Sequence, residues 1–166
     1  LGALTNVASA VFIEPSIADQ LKLYWLGTGY DFEKGIMSRT DFNCMMDQQA
    51  VDILLHSEVE LHIIPHNVAL AMEFSYAECE ANMRGKHGLG DFLCDRWYQH
   101  LDGLRVKRWI WDLGIVGAMI HPEWAKSVEI TTSKDNGSRV IHYYQQVDGE
   151  KIKADFFQTL DDWWGE

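Results

Sequence analysis

Residues 60–83 run Glu60-Leu-His-Ile-Ile-Pro65, then His-Asn67-Val68-Ala-Leu-Ala-Met72-Glu-Phe-Ser-Tyr76-Ala-Glu-Cys79-Glu-Ala-Asn-Met83. The first six carry Leu61, Ile63 and Ile64 and close on proline, the pattern of a short buried strand. Asn67 is a candidate N-cap for the next helix. Val68, Met72, Tyr76, Cys79 and Met83 then recur at helical spacing, which predicts a helix that Gly85, Gly88 and Gly90 bring to an end. A buried strand running straight into a helix is the unit of an α/β protein with a parallel sheet.

The same alternation extends outward from this unit. Upstream, Thr5 to Ile13 reads as a helix capped by Thr5 or Asn6, and Pro15 opens a second helical piece. Leu21 to Leu26 reads as a buried strand ending at Gly27. Gly27-Thr-Gly begins a loop expected to last to about Thr40. Asp47 to Ser57 reads as a helix with Ala50, Ile53, Leu54 and Ser57 on one face. Downstream, helices are expected from about Asp91 to Leu101 and from Asp112 to His121-Pro122. Three strand-like runs come next: Ser127 to Thr132, Arg139 to Val147 and Lys151 to Ala154. They are separated by the turn signals Asp135-Asn-Gly and Asp148-Gly. Asp155 offers a cap to a last helix carrying Phe156, Phe157, Leu160 and Trp163-Trp164. The expected fold is therefore α/β, a mainly parallel open sheet with a small antiparallel hairpin tail. Such sheets place their sites in the loops at the C-terminal ends of the strands.

Composition narrows the classes of partner. The 166 residues suffice for one compact unit, and a formal charge of −11 repels polyanions, so nucleic acid is not expected as a ligand. Cys44, Cys79 and Cys94 are odd in number and form no Cys-x-x-Cys pair, which suggests free thiols in a reducing compartment and a cytoplasmic location. No apolar run approaches the length of a membrane span.

Three segments put polar residues where loops meet helices: Leu4-Thr5-Asn6, Asp41-Phe42-Asn43 and Trp111-Asp112. Each has a plain structural reading beside a functional one. Thr5 and Asp112 also suit helix caps, and Asp41 and Asn43 also suit turn hydrogen bonds. Trp111 also suits a packed core. Of His62, His66, His87, His100 and His121 only His62 and His66 stand at His-x-x-x-His spacing, in a strand-like run that ends on Pro65 and not on a helix, and no His-Glu-x-x-His occurs, so a zinc site is not expected. They read as surface or structural residues, with His66, at a strand end, the best exception.

Taken in order, the segments resemble the nucleoside hydrolases. Gly2-Ala-Leu-Thr-Asn-Val-Ala with Glu14-Pro15 is similar to that family's "G-P-L-T-N-x-A … P". Leu26-Gly27-Thr28-Gly29 resembles its "M-G-G" strand end. Asp41-Phe-Asn-x-x-x-Asp47 resembles "E-F-N-x-x-x-D", and Val59 to Asn67 resembles "V-P-V-T-L-V-P-L-D-V". Asp112 to Pro122 keeps the spacing of "H-D-P-L-A-V-A … L-D-P". The resemblance covers the whole chain collinearly. It identifies residues 1–166 as the C-terminal portion of a Rossmann-like nucleoside hydrolase domain, without the N-terminal half.

The resemblance implies hydrolysis of the N-glycosidic bond of ribonucleosides to ribose and free base by a water bound to Ca²⁺. The transition state is oxocarbenium-like, as in glycoside hydrolysis generally. It implies that Asp112 and the backbone carbonyl of Thr5 ligate the calcium ion, an oxygen set such as a hard cation takes. It implies that Asn43 binds ribose hydroxyls, that Asp41 stands where a glutamate grips the sugar's 5′ side, and that Leu26 replaces a pocket methionine. Asp41 is one methylene shorter than that glutamate, and Gly35 falls where an asparagine is usual. The aspartate that takes the water's proton belongs to an Asp-x-Asp-x-x-x-Asp-Asp motif absent from these residues, so the chain alone is expected to be inactive. Trp111 stands where many members have a histidine acid. Tryptophan there resembles the purine-specific branch, in which the ring stacks on the departing base. Trp109, Tyr98 and Arg108 are further candidates for the pocket wall. The implied partners are a nucleoside, the missing half and, for the complete protein, further copies of itself. The alternatives are a catalytically inactive ribosyl-binding descendant and a structural or regulatory assembly module.

Overall fold

The computed structural model describes residues 2–99 and 106–165. Helix α1 (Thr5–Ile13) and a 3₁₀ turn (Pro15–Gln20) lead into β1 (Lys22–Leu26). A hairpin of β2 (Gly29–Asp31) and β3 (Ile36–Ser38) precedes α2 (Phe42–Met46), α3 (Gln48–Leu55) and β4 (Glu60–Ile64). Then come α4 (His66–Ala69), a 3₁₀ turn (Leu70–Met72), β5 (Glu73–Ser75), α5 (Tyr76–Met83) and α6 (Gly88–Tyr98). The chain closes with β6 (Lys107–Trp109), α7 (Trp111–Ile120), β7 (Ala125–Thr131), β8 (Val140–Val147) and α8 (Gly149–Trp164).

The main sheet has the order β1-β4-β8-β7. β1 and β4 are parallel, with Lys22 opposite Glu60 and Leu26 opposite Ile64. β4 and β8 are parallel, with His62 opposite His142. β7 is antiparallel to β8 and forms the expected hairpin tail, with Gly137 in the left-handed region at φ 86°. This is the mainly parallel α/β sheet that the sequence predicts. Alternation along the strands gives each face its own core. Trp25, Leu61, Ile63, Ile141 and Tyr143 pack with α1 and α3 residues Val11, Val51 and Leu54. On the other face Leu26, Ile64 and Tyr144 pack under Ile115 and Ala118 of α7 and Ile152 of α8. A third cluster joins Phe74, Cys79, Met83, Cys94 and Phe157. All three cysteines are free and buried. No helix among the described residues is long and apolar enough to cross a membrane.

Several expectations need correction. The helix predicted from Asn67 to Met83 is interrupted, because Glu73–Ser75 pairs antiparallel with Lys107–Trp109. Ser75 then starts α5 with a capping box, its hydroxyl accepting from Glu78 N while the Glu78 carboxylate accepts from Ser75 N. Asn67 is no cap either: its amide exchanges two hydrogen bonds with the backbone of Tyr30. The loop expected from Gly27 to Thr40 contains the β2–β3 hairpin, turned by Asp31, whose Oδ1 accepts from Glu33 N and Lys34 N.

The third strand-like run, Lys151–Ala154, is the first part of α8. Asp148 accepts from Lys151 N and caps the helix, so Asp148-Gly is a helix start rather than a hairpin turn. Asp155 lies inside α8, beside His121 at 3.3 Å. Finally, α3 buries Ala50, Val51, Leu54 and Leu55 and ends before Ser57, a face rotated from the expected one. The far end of the helix expected to reach Leu101 lies outside the described residues, as does His100.

Candidate functional site

A cavity of about 490 Å³ opens where the parallel strands β1 and β4 end. It is lined by Leu26, Thr40, Asp41, Phe42, Asn43, His66, Trp111 and Asp112. Five of the six residues to which the resemblance assigns a role thus meet in one place, although they come from three segments. Thr40, Phe42 and His66 are the additions. Thr40 and Phe42 flank Asp41 in sequence, which is the only signal that marks them.

Local physics explains how each is held. Asp41 is the N-cap of α2, and its Oδ1 accepts from Asn43 N at 2.9 Å and Cys44 N at 3.3 Å. Its structural reading therefore holds, and it lines the cavity as well. Asn43 Nδ2 donates to the Leu26 carbonyl at 2.9 Å, which ties the loop to the end of β1 and leaves its carbonyl oxygen for the cavity. Thr28, just past β1, has a positive φ of 63°, a conformation that threonine adopts only where its surroundings enforce it. Here Thr28 is fully buried and its hydroxyl bonds Tyr143 at 2.9 Å.

The Thr28 carbonyl accepts from both the backbone N and the Nδ1 of His66, at 2.9 and 3.0 Å. A carbonyl only accepts, so the proton sits on Nδ1 and Nε2 is a free acceptor. Gly29 makes room for that ring: a Cβ there would stand 2.7 Å from His66 Cε1.

Trp111 and Asp112 form the first turn of α7, whose N-cap is Ile110. Asp112 is therefore not a cap. Among the described residues its carboxylate has no hydrogen-bond or ion-pair partner. An acidic group in the first turn is favoured by the helix dipole. Trp111 is half-buried and stacks on Trp109, with ring centroids 5.7 Å apart. Packing accounts for one of its faces, and the cavity meets the residue as well. Trp109 and Tyr98 do not line the cavity. Nor does Arg108, whose guanidinium lies over the Trp97 ring at 5.6 Å.

Thr5 is not among the lining residues. Its hydroxyl donates to Asp47 Oδ2 at 2.6 Å, a bond that holds the Asp47 carboxyl below the usual carboxylate range. Asp47 in turn caps α3 through Ala50 N. The bond thus joins the start of α1 to the end of the Asp41–Asp47 segment, while the Thr5 carbonyl accepts from Ser9 Oγ at 2.6 Å.

Comparison with known proteins bears on this arrangement. The model of the inosine-uridine preferring nucleoside hydrolase family matches residues 1–162. A probable uridine nucleosidase 1 of Oryza sativa subsp. japonica is 30% identical over 133 residues, 75% of this chain and 40% of the rice protein. Among solved structures, a purine-preferring ribonucleoside hydrolase from Gardnerella vaginalis superposes with a TM-score of 0.71 at 19% identity, over 97% of this chain and 58% of its own. An inosine-uridine preferring nucleoside hydrolase from Bacillus anthracis gives 0.72 at 18% identity, over 96% and 57%. The chain thus spans less than two thirds of the length of these relatives. At such identities the two solved structures establish the fold alone. Membership rests on the family match over nearly all of the chain: it belongs to the inosine-uridine preferring nucleoside hydrolase family.

Proposed function

We propose that these residues are the C-terminal, sugar- and base-facing portion of a ribonucleoside N-glycohydrolase that prefers purine nucleosides. The observation that carries this reading is the convergence of Asn43, Trp111 and Asp112 on one cavity at the C-terminal ends of β1 and β4. In this reading Asn43 binds ribose hydroxyls through its free carbonyl oxygen, Asp41 faces the sugar's 5′ side, and Leu26 packs against the ring. Trp111 stacks on the leaving base. Relatives of both kinds exist by name, purine-preferring and uridine-directed, so the preference rests on Trp111 and not on the comparison.

A calcium ion fits this set only in part. The cavity holds two carboxylates, Asp41 and Asp112, and Oδ1 of Asp41 is engaged as a cap. A calcium ion takes roughly six to eight oxygens. In this reading Asp112 and the Thr5 carbonyl contribute two of them, and a further segment of the complete protein supplies the rest together with the proton acceptor. When bound, the ion would orient the sugar diol and acidify the attacking water.

Trp111 fixes the expected selectivity. An indole has one N–H donor and cannot serve as an acid near neutral pH, so it acts by stacking. A stacked pair is worth about 0.5–1.5 kcal/mol beyond area burial. That is roughly two- to tenfold in rate when the stack tightens in the transition state. The test is a substrate panel on the full-length protein with calcium. Inosine, guanosine or adenosine should turn over faster than uridine or cytidine, and Trp111→Ala should lower kcat on purine nucleosides more than it raises KM. Faster turnover of uridine than inosine overturns the purine reading. A second reading, a ribosyl-binding protein without catalysis, is favoured by the capping role of the Asp41 carboxylate. It predicts nucleoside binding with no turnover of either class.

A further inference from the structure

We infer that His62 and His142, with Glu60 holding the N–H of His62, form a site for a divalent transition-metal ion of the zinc class, separate from the cavity described above. Glu60 and His62 stand two apart on β4 and so project from one face of the sheet. His142 stands directly opposite His62 on the neighbouring strand β8. One ligand atom from each of the three lies within 4.8 Å of the others. Two imidazole ligands, one of them giving its other N–H to a carboxylate, suit zinc, copper or nickel rather than calcium. The cavity is at the other end of β4: His66 lies four residues beyond His62, about 13 Å of extended chain.

The state of His62 carries the argument furthest. It is 8% exposed, and its Nε2 lies 2.6 Å from Glu60 Oε1. A carboxylate only accepts, so Nε2 holds the proton and Nδ1 is a bare lone pair. That Nδ1 is buried with no hydrogen-bond partner among the described residues. A desolvated acceptor without a donor is costly, and a cation removes the cost. Metal-bound histidines commonly give their other N–H to a carboxylate, which is the posture found here.

Two features show how the site would close. His62 and His142 are stacked, with centroids 4.3 Å apart and planes 10° apart, so lone pairs lying in the two ring planes do not converge on one ion. Ligands on one tetrahedral ion stand roughly 3.3 Å apart, which requires one ring to turn. His142 is only half-buried and is free to do so. Lys22 lies 2.8 Å from Glu60 Oε1. Its ammonium opposes a cation, so Lys22→Met should tighten metal binding.

The test is calorimetric titration of Zn²⁺ into the metal-stripped full-length protein with excess Ca²⁺ present, since calcium does not compete for imidazole nitrogen. One equivalent should bind. His142→Phe keeps the stacked ring and removes the ligand, and it should weaken binding by at least about tenfold. His56→Ala, which removes an exposed histidine outside the cluster, should bind as the parent does. A full-length protein that takes up no zinc, or a His142→Phe variant that binds it undiminished, overturns the site. The circular-dichroism melt of each metal-free variant separates a lost ligand from a lost fold.

Discussion

At the scale of single residues, the carboxylate of Asp112 and the ring of His62 are each placed without a full set of partners. Asp112 faces the cavity from the first turn of α7 with no side-chain partner among the described residues. Asp112→Ala in the complete protein should therefore weaken calcium binding by more than about tenfold, the lower bound seen even for outer-sphere partners, and nearly abolish hydrolysis. Unchanged calcium affinity by calorimetry would remove Asp112 from the site. His62 makes a separate prediction about acid stability. Burial keeps its folded pKa below 6.5, so on acidification the unfolded chain takes up a proton that the folded chain refuses. Its contribution is full above 6.5 and is lost as pH falls toward the folded value. Urea denaturation in chelator at pH 7.5 and 5.5 should show the parent losing more stability than His62→Phe. Equal losses would show that this ring does not carry the effect.

At the scale of elements, caps decide where several helices begin. Asp41 caps α2, Asp47 caps α3, Ser75 caps α5 and Asp148 caps α8. Two of these caps also hold the candidate site together. Asp41 lines the cavity, and Asp47 ties α3 to Thr5. α8 is the cleaner place to measure a cap, because Asp148 lies away from the cavity. Its Oδ1 accepts from Lys151 N at 3.2 Å. Asp148→Ala should cost about 0.5–2 kcal/mol, typically near 1. Asp148→Asn should recover most of it, since an amide oxygen caps as well. Equal melting temperatures for the parent and the alanine variant would show that α8 is held by the packing of Ile152 and Phe157 alone.

At the scale of the whole molecule, the open sheet leaves β1 as an edge strand among the described residues, with no strand on its outer side. Exposed edges pair readily with other chains. Large apolar side chains are exposed as well, with Phe12 at 74%, Ile13 at 80%, Phe42 at 66% and Ile120 at 60%. Surfaces of this kind associate when they are contiguous over more than a few hundred Å². The 166-residue chain is therefore expected to self-associate or to require a further segment as cover. Sedimentation at increasing concentration should give a mass above 19.1 kDa. A monodisperse monomer that melts cooperatively would contradict this.

Strand–helix alternation along the chain determined the α/β class, because an apolar run closing on a breaker and a run at helical spacing are local patterns. The family resemblance marked Thr5, Leu26, Asp41, Asn43, Trp111 and Asp112 from sequence, and the cavity unites all of them but Thr5. Local pattern failed where two structures satisfy it equally. Lys151–Ala154 reads as a strand until Asp148 is seen capping a helix, and Glu73–Ser75 continues a helical spacing until Lys107–Trp109 arrives to pair with it. Long-range pairing alone decided the rest. His62 and His142 are 80 positions apart and carry no metal-binding spacing, yet parallel pairing of β4 with β8 sets them face to face. His66 reaches the cavity with Nε2 free because the Thr28 carbonyl, at the end of another strand, holds its Nδ1–H. Chain spacing fixes which residues share one helix face or strand face. Which strands lie side by side is set by burial of both sheet faces at once, a condition on the whole chain that no single segment encodes.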